Sequence, residues 1–142
     1  MIRSRPFVRF AACAALTLFA ACGSDETQAT EDHTPVSFTV LVDDVPASSP
    51  LSLPSGQTVR VRLQFVNAAG EDLDDVEGSH FAGLTFSPTS LATAVRVTDH
   101  HYQFDVTGGT AGTGTVQVGY GHDEQADEHT FPAAPMTVTE AP

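Results

Sequence analysis

The stretch GQTVRVRLQFVNAAGEDL, residues 56–73, alternates Val59, Val61, Leu63 and Phe65 with Arg60, Arg62 and Gln64. Successive strand side chains point to opposite faces, so a period of two puts the four apolar groups on one side and the polar ones on the other. A helix would need apolar residues at spacings of three and four, which this stretch lacks. Asn67-Ala68-Ala69-Gly70 then breaks the alternation with turn-forming residues. The pattern predicts a half-buried strand running into a tight turn.

The same period recurs in Val36, Phe38, Val40 and Val42, and in residues 80–86, 92–98, 101–107, 114–121 and 129–139. Clusters rich in Gly, Pro, Ser and Asp, such as PASSPLSLPSG, SPTS and GGTAGT, separate them. No segment keeps helical spacing over three turns. Seven short strands within residues 35–142 predict an all-β fold, a single seven-stranded antiparallel β-sandwich.

Residues 56–73 resemble the second strand and following loop of bacterial immunoglobulin-like modules. LTFSPTSLATA and VTGGTAGTGTVQVGYG are similar to the later strands of those modules. The resemblance covers residues 36–139 and implies an immunoglobulin-like β-sandwich. Such modules serve as stalks, adhesin segments, sugar binders and enzyme accessories, so no single activity is implied. The long acidic second loop and the histidines depart from the common module, and function is sought in those departures.

The first residues set the compartment. Arg3, Arg5 and Arg9 precede an apolar run from Phe10 to Ala21, the order of a secretory signal and too short for a membrane span. Phe19-Ala20-Ala21-Cys22 resembles the lipobox of bacterial lipoproteins. That resemblance implies a signal peptide over 1–21, lipidation of Cys22 with palmitate among the acyl groups, and anchoring in the bacterial cell envelope. Gly23 and Ser24 lack the aspartate that marks inner-membrane retention in enteric bacteria, so the outer membrane is favoured, on its periplasmic or surface face. Residues 22–34 are polar without apolar periodicity and read as a flexible acidic tether. Cys13 leaves with the signal and Cys22 carries lipid, so no disulfide is expected.

The formal net charge is −12, and removing the signal leaves three arginines against all eighteen acids. Such a surface repels nucleic acid and anionic lipid headgroups and suits cations; the expected partners are the membrane, through the N-terminal lipid, and an envelope protein, with no nucleic acid. No nucleophile elbow, HExxH helix or phosphate-binding glycine loop occurs in the sequence, and no enzyme is expected.

In a sandwich of alternating strands, the second-to-third, fourth-to-fifth and sixth-to-seventh connections share one end with the start of the first strand. All six histidines fall there. His80, His100, His122 and His129 continue inward-facing rows at the mouth of the core, whereas His33 and His101 are out of step. An equal-armed last hairpin would set 122 opposite 129, close enough for two imidazoles to share a metal. The expected ligands of a divalent transition metal, Zn or Cu(II), are therefore His80, His100, His122 and His129. Asp99, Asp123 and His101 stand nearby to orient them. The alternative is a structural or protein-interaction module with an acidic, calcium-binding loop end; a third reading is a pH sensor.

Overall fold

The computed structural model describes residues 33–141 apart from 74 and 76–78. The expected signal peptide, Cys22 and the expected tether up to residue 32 lie outside the described residues, as do Asp74 and Glu77 of the acidic loop. Among the described residues every regular element is a strand.

The chain runs β1 (Pro35–Val42), β2 (Val45–Pro46), β3 (Leu51–Pro54), β4 (Thr58–Asn67) and β5 (Phe81–Ser87). It continues with β6 (Ala92–Arg96), β7 (Gln103–Gly108), β8 (Gly112–Gly121), β9 (His129–Thr130) and β10 (Ala134–Thr139). One sheet has the order β2-β1-β4-β7-β6 and the other β3-β10-β8-β5, with β9 also on β8. With the short pieces set aside, β1-β4-β7-β6 faces β10-β8-β5, the strand arrangement of an immunoglobulin-type sandwich.

The seven expected strands correspond to β1, β4, β5, β6, β7, β8 and the β9/β10 pair. Two features differ from expectation. The 43–57 stretch, expected as a loop, supplies β2 and β3. β3 lies parallel to β10, pairing Leu51 with Met136 and Leu53 with Val138, so the sandwich is not purely antiparallel. Pro50 and Pro54 bracket this four-residue strand, and proline confines it to a sheet edge. The Asp43-Asp44 turn into β2 has both residues at positive φ, 48° and 64°, which short polar side chains tolerate.

β4 behaves as its alternation predicts. Val61, Leu63 and Phe65 are buried while Arg60 and Arg62 face outward, to Asp105 (2.7 Å) and Asp44 (3.2 Å). At its end the Asn67 side-chain oxygen accepts the amides of Ala69 and Glu71, and Gly70 takes φ 84° to close the turn. The loop then folds back: the Leu73 amide donates to the Phe65 carbonyl, and Gln64 Nε2 donates to Asp72 Oδ2 at 2.8 Å.

Phe65 is fully buried at the centre of an aromatic group formed with Tyr102, Tyr120 and Phe131, whose ring centroids lie 5.0–5.9 Å from its own. Phe38 meets Phe131 edge-on at 4.7 Å. Edge-to-face aromatic pairs add to area burial, so this end of the core is filled by rings. The histidines sit directly above it.

Candidate functional site: a histidine-bearing rim

The β5–β8 ladder pairs Phe81 with Gly121 and Ala82 with Tyr120. One step further, past the last pair, His80 stands across from His122. Their ring centroids are 4.0 Å apart, tilted by 46°. His80 also lies nearly parallel to Tyr120, with centroids 5.0 Å apart, and stacks on His33 at 5.5 Å. The Tyr120 hydroxyl donates to the His33 carbonyl at 2.8 Å, tying the entry of the chain to this row.

His33 was expected out of step with the inward row. A β-bulge between Pro35 and Ser37 shifts the β1–β4 register, and one extra residue reverses the alternation before it. His33 therefore joins His80.

His122 Nδ1 lies 2.6 Å from Glu128 Oε2, with both side chains largely exposed. His80 is held below the ordinary imidazole pKa, first by burial and then by its neighbours His122 and His33; Glu128 works in the opposite direction. Burial pushes the Tyr120 phenol up; a hydrogen bond with Tyr102 opposes that shift and Glu128 adds to it.

The other two expected ligands go elsewhere. β9 pairs His129 with Tyr120, not 129 with 122, because the hairpin arms are unequal. His129 is exposed, with Phe131 edge-on at 4.7 Å. His100 sits across the rim with Nδ1 2.9 Å from Asp75 Oδ2. Asp75 also accepts from Gln103 Nε2 (2.8 Å) and from the Tyr102 amide, and its carbonyl accepts from the His101 amide. One carboxylate thus joins the acidic loop to the 97–102 connection. His101 lies on Phe81 at 4.4 Å, and its buried Nδ1 finds no hydrogen-bond partner among the described residues.

The acids expected to orient ligands are otherwise engaged or turned away. Asp123 Oδ1 accepts the amides of Gln125 (3.0 Å) and Ala126 (3.2 Å), shaping its own loop. Asp99 is an exposed turn residue at φ 63°. The 122–128 loop folds onto the second sheet, where a Cβ at Gly119 would collide with the Ala126 carbonyl.

Arg96, at the end of β6, brings a cation to this acidic end. Its Nη2 donates to the carbonyls of Ala82 (2.7 Å) and Glu124 (3.2 Å), while its guanidinium lies over Phe81 and Phe104. His33, Asp75 and Glu128 lie in stretches that the sequence places at this end without making them ligands, Asp75 in the acidic second loop and Glu128 in GHDEQADEHTF; Arg96 and Gln103 were not placed there.

The four histidines are not brought together. The structure joins His80 with His122, adds His33 and Glu128, and sends His100 and His129 to separate neighbours. Among the described residues no group of three or more His, Cys, Asp or Glu side chains is placed to hold a metal ion.

No protein-family model matches the chain, and no curated protein sequence matches it. Among solved structures it is similar to surface-layer protein SbsC, domains 1–6, at 19% identity and TM-score 0.50, covering 77% of this chain and 14% of that one. It is also similar to domains 4 and 5 of S-layer protein SbsC, at 20% identity and TM-score 0.48, covering 74% of this chain and 53% of that one. At this identity the likeness extends to the fold alone.

Proposed function

We propose that the chain is a non-catalytic immunoglobulin-like module of the bacterial cell envelope, anchored by lipid on Cys22, whose histidine- and acid-bearing end contacts an envelope protein partner. The observation that carries this reading is the cross-bracing of the rim. Asp75 ties the acidic loop to the 97–102 connection, and Arg96 ties the 122–128 loop to β5 and β6. Loops fixed in advance lose little freedom on binding, which favours recognition of a partner. The fold likeness to surface-layer domains supports an envelope setting, and the acid excess suits a basic patch on the partner.

A photo-crosslinking residue at Glu124, on the 122–128 loop, is expected to trap a discrete adduct in intact cells. The same probe at Glu140, beyond the opposite end of β10, is expected to trap none. Equal adducts from both positions, or none from Glu124, would remove the reading. Labelling by a palmitate analogue is expected to disappear in Cys22→Ser; survival of the label would remove the anchor but leave the module standing.

A second reading, binding of Zn or Cu(II), is favoured by the His80–His122 rung. A metal needs neutral imidazole, and the lowered proton affinity of His80 supplies one at neutral pH. Here the ligands are His80 and His122, with Glu128 beside them, rather than four histidines. Equilibrium dialysis should show binding weakened at least tenfold by His80→Ala or His122→Ala and changed less than twofold by His100→Ala or His129→Ala. Equal losses from all four would restore the larger site and contradict the pair.

A further inference from the structure

The core below the rim is not uniformly filled. Near the histidines it holds the rings of Phe65, Tyr102, Tyr120 and Phe131, and toward the opposite end it holds Leu53, Leu91 and Met136. Between these layers lie Val61, Leu63 and Val106 on the first sheet and Leu84, Phe86, Val116, Val118 and Ala134 on the second. Sheets pack about 10 Å apart, and these side chains do not fill the gap.

That space is a cavity of about 250 Å³. It opens to solvent beside residues 47–49, where the chain crosses from β2 to β3, with Thr39 and Pro135 also at its lining. Phe38, Val40, Leu51, Leu84 and Ala134 pack against the core yet remain only partly buried. Natural interiors leave few voids larger than a water molecule, and an apolar cavity of about 150 Å³ already takes up benzene. This one is larger and has a way in.

We propose that this cavity is a binding site for a neutral apolar ligand, with a hydrocarbon body of about eight to ten non-hydrogen atoms, scaled from benzene in a cavity of about 150 Å³, and a single hydroxyl- or ester-type head. The lining is apolar apart from backbone and the side chains of Ser48 and Ser49 at its mouth, since Thr39 is an outward-facing residue of β1. No charged side chain belongs to it, so nothing there would compensate a carboxylate or an ammonium taken out of water. The acid excess of the chain further disfavours an anion. The two serine hydroxyls supply donors and acceptors for a polar but uncharged head while the body displaces the void. This site is separate from the rim and does not depend on how the rim is used.

The test is a titration of the full chain carrying Cys22→Ser with 1-octanol, followed by methyl NMR and thermal melting, with octanoate as the charged control. Octanol is expected to move the methyl resonances of Val61, Val106, Val116 and Val118 saturably and to raise Tm, since a ligand that binds only the folded state stabilises it. Octanoate should bind at least tenfold more weakly. Ala134→Leu, which fills the space, should abolish octanol binding and raise the Tm of the unliganded protein. Unmoved valine methyls in the unfilled protein would overturn the proposal, whether or not Ala134→Leu folds. Octanol binding unchanged in a folded Ala134→Leu, or octanoate binding as tightly as octanol, would overturn it as well.

Discussion

On one side of the rim His100 lies against Asp75, a carboxylate only 20% exposed that also holds Gln103 and the Tyr102 amide. On the other, His80 and His122 meet ring to ring, and the nearest carboxylate is Glu128, which is 52% exposed. Similar side chains at the same end of the sandwich thus have different work. A histidine beside a largely buried carboxylate that ties two loops together belongs to the scaffold. A histidine whose proton affinity is lowered by burial and by other imidazoles is suited to a ligand. Proximity in the fold groups the residues, and their hydrogen-bond partners separate them again.

Removing the carboxylate should break the scaffold side most. Asp75→Ala removes the side-chain acceptor of the Tyr102 amide and leaves Gln103 Nε2 only its contact with His100 Nδ1 at 2.8 Å; it is expected to cost about 1–3 kcal/mol, read from urea unfolding. A loss no greater than that of an exposed acid such as Asp99→Ala would mean that the two sides do not differ. Arg96→Ala removes two hydrogen bonds to carbonyls and the cover over Phe81 and Phe104. A cost of about 1 kcal/mol is expected, with faster amide exchange confined to the 122–128 loop. Exchange that quickens equally around Asp75 would show the rim to be one unit.

Acid sharpens the contrast from the other side. The folded state holds the His80 pKa below the unfolded value of about 6.5, so the unfolded chain takes up the proton first. The stability linked to His80 is complete above about pH 6.5 and declines as pH falls through and below that value. His80→Gln should flatten that part of the profile of urea midpoint against pH between 8 and 5. Coincident profiles for the two proteins would exclude His80 as its source. The smallest effect is expected from Glu128→Gln: an exposed ion pair contributes ~0.5 kcal/mol or less, so urea unfolding should barely move. A cost comparable to that of Asp75→Ala would erase the distinction.

Much of the sandwich was legible because burial of one sheet face writes a period of two into the sequence, most plainly in Val59 to Phe65. β3 was not, because three residues between Pro50 and Pro54 carry no readable period. Its partner Met136–Thr139 lies far along the chain. The grouping of the histidines at one end followed from strand parity and is reflected in the contacts His33–His80–His122 and Asp75–His100. Their division did not follow. The bulge after Pro35 brought His33 in. The unequal arms of the last hairpin set His129 opposite Tyr120, two rungs from His122. The β5–β8 register, which sequence leaves open, supplied His80 instead. The hollow in the middle layer was equally hidden, since apolar residues at inward positions read as ordinary core until the sheets are set face to face.

Zinc titration followed through the imidazole C–H resonances addresses the division of the rim most directly. His80 and His122 should shift together at the lowest zinc concentrations while His100 and His129 stay in place. Joint movement of all four would contradict the account.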